Sequence, residues 1–346
     1  MTADDDILFR MDGTLGRVHL NAPGTFNSLT REMCVAFRGQ LVAWRDDPAV
    51  AAVLVTAAGD RAFCAGGDIR RLYDIGRADP IEGRTFFWHE YRLDHLVHEF
   101  PKPYVSLVDG IVMGGGVGAS VHGSHRIVTE KTMLAMPECG IGLFPDVGAS
   151  EFLGKAPGAL GMYLGLTGAR LKAADALLAG FATHFVPSAR LDELAAGLSA
   201  NLDAIDTYIA GFAENPGTAP LDEHRHLIDR RFAADSVTDI ISGLDAEDGY
   251  WAIETADELR DKSPTSLRVT HRQLRDAHGL GFDDLMRIEY RMACRFLDGV
   301  DFFEGIRAAV IDKDRKPKWA PARLDDVDDE MTASYFAPVT PELDLD

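Results

Sequence analysis

The stretch Val112–Ser120, "VMGGGVGAS", decides how the rest of the chain is read. It carries Gly114, Gly115, Gly116 and Gly118, and it follows "YVSLVDGI", an apolar run of strand type. Glycine permits positive φ and lets another group approach the backbone without meeting a Cβ. Two uses fit such a stretch. Gly114, Gly116 and Ala119 satisfy the G-x-G-x-x-[G/A] pattern that cradles a dinucleotide pyrophosphate, and an acid, Glu138, lies about 20 residues on, where that pattern expects one. Alternatively, bare backbone N–H groups form an oxyanion hole for an acyl oxygen.

A second glycine loop bears on the choice. "FCAGGDIRRLY" (Phe63–Tyr73) follows another apolar run, "AVAAVLVTA" (49–57). If the two loops lie side by side, an N–H from each converges on one oxygen, and the helix after each loop adds the positive end of its dipole. The plainer reading of either loop alone is a tight turn with close strand–helix packing.

Acids follow in "MPECGIGLFPDVGAS" (Met136–Ser150), where Glu138 and Asp146 flank Gly140, Gly142 and Pro145. Those residues break regular structure and let the chain fold back. Two acids sharing one site push their pKa values apart, which suits one of them to base or nucleophile duty. From spacing alone, cap or surface roles are the simpler reading of both. Other nucleophiles are weaker: there is no G-x-S-x-G elbow, and Cys64 reads more simply as a small buried thiol than as a nucleophile. His122 and His125, in "HGSH", lack further clustered ligands, so structural roles are expected and no metal.

The flanking sequence supplies the frame. Ile7–Leu20 reads as a hairpin turning at Asp12-Gly13. Thr30 reads as an N-cap before Met33, Phe37, Leu41 and Trp44 at helical spacing. A longer helix is expected over 81–100, stopped by Pro101 and Pro103. "RIVTE", "MLAMPE" and "ATHFVP" read as short strands, and 188–312 as mostly helical. The expected organisation is a mixed α/β core over 1–195, a helical region over 196–320 and an irregular tail over 321–346. The chain has 346 residues, 46% of them hydrophobic, and a net charge of −20. That charge argues against nucleic acid and anionic membrane as partners. No apolar run approaches a membrane span, the N-terminus lacks a basic signal-like segment, and the four cysteines form no C-x-x-C pair. A cytoplasmic protein is expected. The acidic runs Asp4–Asp6 and Leu324–Glu330 read as solvated surface.

Taken together, these segments resemble the crotonase (enoyl-CoA hydratase/isomerase) superfamily, and within it the 3-hydroxyisobutyryl-CoA hydrolase branch. "FCAGGDIR" is similar to that branch's first oxyanion loop, "GIVMGGGVGASVHG" to its second and "AMPECGIGLFPDVGA" to its acidic loop. "LTGARLKAADALLAGFATHFV", "KSPTSLRVTHRQL" and "EGIRAAVIDKDRKPKWAP" follow in the branch's order, so the resemblance covers most of the chain. It implies a spiral of repeated ββα units with a helical C-terminal region. It also implies Gly67 and Gly115 as oxyanion donors, Glu138 as the catalytic acid, Asp146 as the added hydrolase acid, and Glu90, in "WHEYR", as a substrate-binding glutamate. Cys139-Gly140 and Ala149-Ser150 depart from the branch's usual residues without removing a catalytic group. Gly118 stands where a hydratase holds its other glutamate. Hydration of a double bond needs two positioned acid/base groups, so thioester hydrolysis is the expected reaction. The implied substrate is a 3-hydroxyacyl-CoA, with coenzyme A entering as part of the substrate and no further cofactor. Homo-oligomers up to trimers or hexamers are also implied. The rival readings are a hydratase/isomerase reaction, an NAD(P)-dependent dehydrogenase and a non-catalytic acyl-CoA-binding protein.

Overall fold

In this computed structural model, which describes residues 3–345, nine strands form two sheets. The strands are β1 (Ile7–Asp12), β2 (Leu15–Leu20), β3 (Ala52–Ala57), β4 (Ala62–Cys64), β5 (Tyr104–Val108), β6 (Ile111–Met113), β7 (His125–Val128), β8 (Met133–Ala135) and β9 (His184–Phe185). The larger sheet has the order β1-β2-β3-β5-β7-β9, and the smaller has the order β4-β6-β8. Among the paired strands of the described residues only the β1–β2 hairpin is antiparallel, with Gly13 at φ 61° in its turn. Each of the pairs β3/β4, β5/β6 and β7/β8 gives one strand to each sheet. These strand pairs are the ββ part of the repeated ββα units that the resemblance implies. The second strand of each pair is only three residues long, too short to stand out as a period in the sequence.

By proximity the chain divides into two compact units. The first contains the chain up to Gly67, Arg92–Ala135 and Arg170–Asp222, and it holds every strand. The second contains Asp68–Tyr91, Met136–Ala169 and the chain from Glu223. This differs from a single cut near residue 195, and the cause lies in the core. Leu15, Leu54, Val105, Leu107 and Ile127 line one face of the larger sheet. Leu191, Leu194, Leu198, Ile205 and Ile209 from the helices Leu191–Leu198 and Ile205–Ala210 pack on that face. Residues beyond 195 thus complete the core of the first unit.

The helix Arg31–Asp46 belongs to the first unit as well. The Thr30 side chain caps it by accepting from Met33 N–H, and Met33, Phe37, Leu41 and Trp44 are its buried residues. Gly16 of β2 admits the Trp44 ring, whose atoms a Cβ there would meet at 2.8 Å. The second unit is mostly helical. Its longest elements are Phe282–Asp298, Pro264–Asp276, Tyr250–Asp261 and the first part of Pro80–His98. Within 321–346, Asp328 caps a short helix, Asp329–Ser334, and Val327 and Leu343 are buried. The neighbouring acids Asp325, Asp326, Asp329 and Glu330 are exposed, as a solvated acidic run requires. No helix among the described residues is long and apolar enough to cross a membrane.

Candidate active site

In the first unit the two glycine loops touch. A Cβ on Gly66, which sits at φ +99°, would lie 3.0 Å from the Met113 carbonyl and 3.5 Å from Gly115 N. A Cβ on Gly116 would overlap the Cys64 carbonyl. Gly115 opens the helix Gly115–Val121, so its N–H has no intrahelical acceptor. Gly114 precedes it at φ 46°, and its carbonyl takes Val117 N–H at 2.8 Å.

The first loop is held from outside. Leu29 N–H donates to Gly66 O at 2.8 Å and Ala65 N–H to Phe26 O at 3.0 Å, and Leu29 bridges Gly67. Asn27 is buried and binds the carbonyls of Ala58 and Ala62 through Nδ2, at 2.9 and 3.0 Å. Phe26 and Asn27 both adopt positive φ, so this brace is a turn that few residues other than Asn or Gly accept readily. The sequence reading missed Asn27.

In the second unit three carboxyls are brought together. Glu90 and Tyr91 lie on the helix Pro80–His98, Glu138 opens the 3₁₀ turn Glu138–Ile141, and Asp146 lies in the loop that follows. Glu90, Glu138 and Asp146 are 2, 5 and 4% exposed, which excludes surface roles for all of them. Tyr91 Oη donates to Asp146 Oδ2 at 2.8 Å. Burial pushes the Asp146 carboxyl up to about 7, while Tyr91 and its own backbone N–H hold it down. Burial drives Glu138 well above the ordinary carboxylate range, and the charge of Asp146 adds to this. Glu90 is raised in the same way, by burial first and then by Asp146 and Glu138. The three therefore titrate as a set, and their pKa values belong to the set.

Glu138 Oε2 and Glu90 Oε1 are buried without a hydrogen-bond partner. A buried acceptor left open is costly in a native protein and is characteristic of groups that await a ligand. The cluster can thus take a hydroxyl or water donor and present one ionised carboxylate to an electrophile.

The surrounding loops explain why distant C-terminal segments accompany these acids. Ser263 N–H donates to the Cys139 carbonyl next to Glu138 at 3.1 Å, and Ser263 Oγ donates to Asp301 Oδ2 at 2.6 Å. A Cβ on Gly142 would overlap the Asp301 carbonyl. Beyond Asp146, Val147 and Gly148 both have positive φ, and Phe144 stacks on Phe296. Gln273 Nε2 donates to Pro145 O at 2.8 Å, and Glu289 accepts from Gly148 and Ser150 N–H. Tyr91, Gln273 and Glu289 were also missed. One sequence signal was available: "EYR" occurs twice, at Glu90–Arg92 and Glu289–Arg291.

The weaker candidates resolve simply. Cys64 is fully buried, with Sγ 3.8 Å from Gly66 O. His125 pairs with Ser124 and Asp206, and the His122 ring lies against His98. Among the described residues no group of three or more His, Cys, Asp or Glu is placed to hold a metal.

The profile of the enoyl-CoA hydratase/isomerase family matches residues 15–336. The mitochondrial 3-hydroxyisobutyryl-CoA hydrolase of Gallus gallus is 42% identical over 343 residues, which are 96% of this chain and 89% of that protein. The crystal structure of a carnitinyl-CoA dehydratase from Mycobacterium thermoresistibile superimposes with a TM-score of 0.94 at 45% identity, over 99% of each chain. That of an enoyl-CoA hydratase from Rhodobacter sphaeroides gives 0.89 at 41% identity, over 98% of this chain and 99% of that one.

Proposed function

The chain belongs to the enoyl-CoA hydratase/isomerase family, and from that premise we propose that it hydrolyses the thioester of a 3-hydroxyacyl-CoA, with 3-hydroxyisobutyryl-CoA as the substrate. The observation that carries this reading is the buried cluster of Glu90, Glu138 and Asp146, with open oxygens on Glu138 and Glu90. The hydrolase name of the Gallus gallus relative agrees with it.

In this mechanism Gly67 and Gly115 N–H hold the thioester oxygen as the carbonyl becomes tetrahedral. The Glu138 carboxylate attacks that carbon, the C–S bond breaks, and CoA leaves as its thiol after taking a proton. Water then cleaves the Glu138 anhydride to the free 3-hydroxy acid and the carboxylate. Asp146 and Glu90 hold the 3-hydroxyl and the water. This chemistry asks for no metal or redox cofactor. In the alternative route Glu138 deprotonates the attacking water directly. Trapping Glu138 as a hydroxamate during turnover, or finding ¹⁸O in it after a single turnover in labelled water, supports the anhydride; neither product forms on the general-base route.

The solved neighbours named dehydratase and hydratase favour a second reading, addition of water to an enoyl-CoA. Against it stands Gly118, buried in the helix Gly115–Val121 where the resemblance places a hydratase glutamate. Glycine has no side chain to transfer a proton. A panel of thioesters decides between the readings. Release of free CoA from 3-hydroxyisobutyryl-CoA with no hydration of crotonyl-CoA supports the hydrolase, and the reverse result overturns it. 3-Hydroxypropionyl-CoA belongs in the panel, because one methyl is worth only ~1–3 kcal/mol of discrimination.

The compartment is also part of the proposal. The Gallus gallus relative is described as mitochondrial. Cys34, Cys64, Cys139 and Cys294 are buried and form no disulfide, which suits a reducing compartment such as the cytoplasm. Fractionation of expressing cells tests the placement, and light scattering tests the homo-oligomer.

A further inference from the structure

The loop that carries Asp146 is held in an unfavourable shape. Val147 adopts φ 58° and Gly148 φ 84° in succession. A β-branched residue in the left-handed region is a genuine outlier, and such strain persists only where surrounding contacts over-determine it. Val147 is fully buried, so solvent does not relax it.

The contacts that impose this shape converge on one side chain. Glu289, on the helix Phe282–Asp298, is fully buried. Its Oε2 accepts Gly148 N–H at 2.7 Å and its Oε1 accepts Ser150 N–H at 2.8 Å. Gln273 Nε2 reaches the same Oε1 at 3.4 Å and also binds Ser150 Oγ and the Pro145 carbonyl. The residue after Glu289 packs against the donor to Asp146. The Tyr290 ring meets those of Trp88 and Tyr91 edge-on, with centroids 5.5 and 6.5 Å away, and Tyr91 is the donor to Asp146. One dipeptide therefore braces both the loop bearing Asp146 and the tyrosine that orients it.

From this geometry we infer that Glu289 is a positioning residue for the reaction, clamping the Gly148 and Ser150 N–H groups so that Asp146 is presented to the substrate; the role in turnover rests on the hydrolase reading. A carboxylate is required because both of its oxygens accept. Glutamine offers one acceptor and sets an NH₂ against the other N–H.

The test uses the full chain and 3-hydroxyisobutyryl-CoA, with free CoA as readout. Glu289→Gln is expected to lower kcat/KM by about 10- to 100-fold, the scale of losing a hydrogen bond to a charged group. The deciding measurement is the cycle with Asp146→Asn. If Glu289 acts through Asp146, the double variant is no slower than Asp146→Asn within about threefold; losses that multiply overturn the inference. Glu289→Asp keeps the charge but falls one methylene short, and it serves if Glu289→Gln does not fold cooperatively. Wild-type rates in Glu289→Asp overturn the clamp. Amide hydrogen exchange over residues 144–152 is read on the same proteins and needs no turnover. Faster exchange in Glu289→Gln with an inactive wild type retains the clamp and rejects the hydrolase reading. Unchanged exchange with an active wild type does the opposite.

Discussion

In the proposed reaction the working groups at the Gly66–Gly67 and Gly114–Gly116 loops are backbone N–H donors, and side chains are kept out. At Glu90, Glu138 and Asp146 the proposed working groups are side chains, buried away from water. The first arrangement is steric. Its function depends on a Cβ being absent where one loop meets a carbonyl of the other. The second is electrostatic. Its function depends on burial raising carboxyls that are only a few per cent exposed. A substitution that adds one carbon breaks the first, and one that exchanges one oxygen for nitrogen breaks the second.

The largest expected effect lies in the acid cluster. Glu138→Gln keeps the shape and removes the nucleophile or base, so kcat should fall by on the order of 10²–10⁴, with CoA binding by calorimetry retained. Retained turnover would remove Glu138 from its role. The steric part comes next. Gly116→Ala drives a methyl into the Cys64 carbonyl and displaces the neighbouring Gly115 N–H. Losing one oxyanion donor costs about 10²–10³ in kcat. Gly39→Ala, where a Cβ meets nothing within 4 Å, should leave kcat unchanged and serves as the control.

Tyr91→Phe should have a smaller effect. It deletes the donor to Asp146, with a loss in kcat/KM of roughly tenfold, the scale of one hydrogen bond to a carboxylate. Because Tyr91 holds the Asp146 carboxyl down, the acid limb of the pH–rate profile should move to higher pH in this variant. A limb that stays in place or moves down would contradict the assignment.

The smallest effect is on stability. Asp146 has an ordinary value of 3.8 and titrates near 7 in the folded chain. Between those values the folded state binds more protons than the unfolded one, so this group's contribution to stability is present at low pH and lost as pH rises toward 7. Asp146→Asn carries no such dependence. Urea denaturation should therefore show the variant gaining on the wild type between pH 5 and pH 8. A constant difference would mean that Asp146 is not desolvated.

The two parts were also unequally legible in the sequence. Gly67 and Gly115 stand out as glycines after apolar strands, and the strand–loop–helix order around them is a local pattern. Asn27 escaped notice because an asparagine at positive φ looks like any turn residue until its carbonyl partners are known. Glu138 and Asp146 were visible only as acids in a broken stretch. Their pairing with Glu90 became readable through resemblance, since the helix Pro80–His98 gives no local sign that position 90 faces inward. Glu289 lay in an amphipathic helix rich in Arg and Asp, where a buried acid has the same letter as an exposed one.

Legible in the residues alone is therefore the backbone chemistry: where the chain turns, that a helix begins after Thr30, which positions lack a Cβ, and that position 118 has no proton to transfer. These follow from the residue and its near neighbours. The tertiary structure alone decided which acids are buried together, which oxygens stay open, that Tyr91 donates to Asp146, and that Glu289 grips the loop behind it. A carboxyl's pKa and partners depend on the dielectric and charges around it, and those come from segments as far as 141 residues away in the chain, whose meeting no local pattern records.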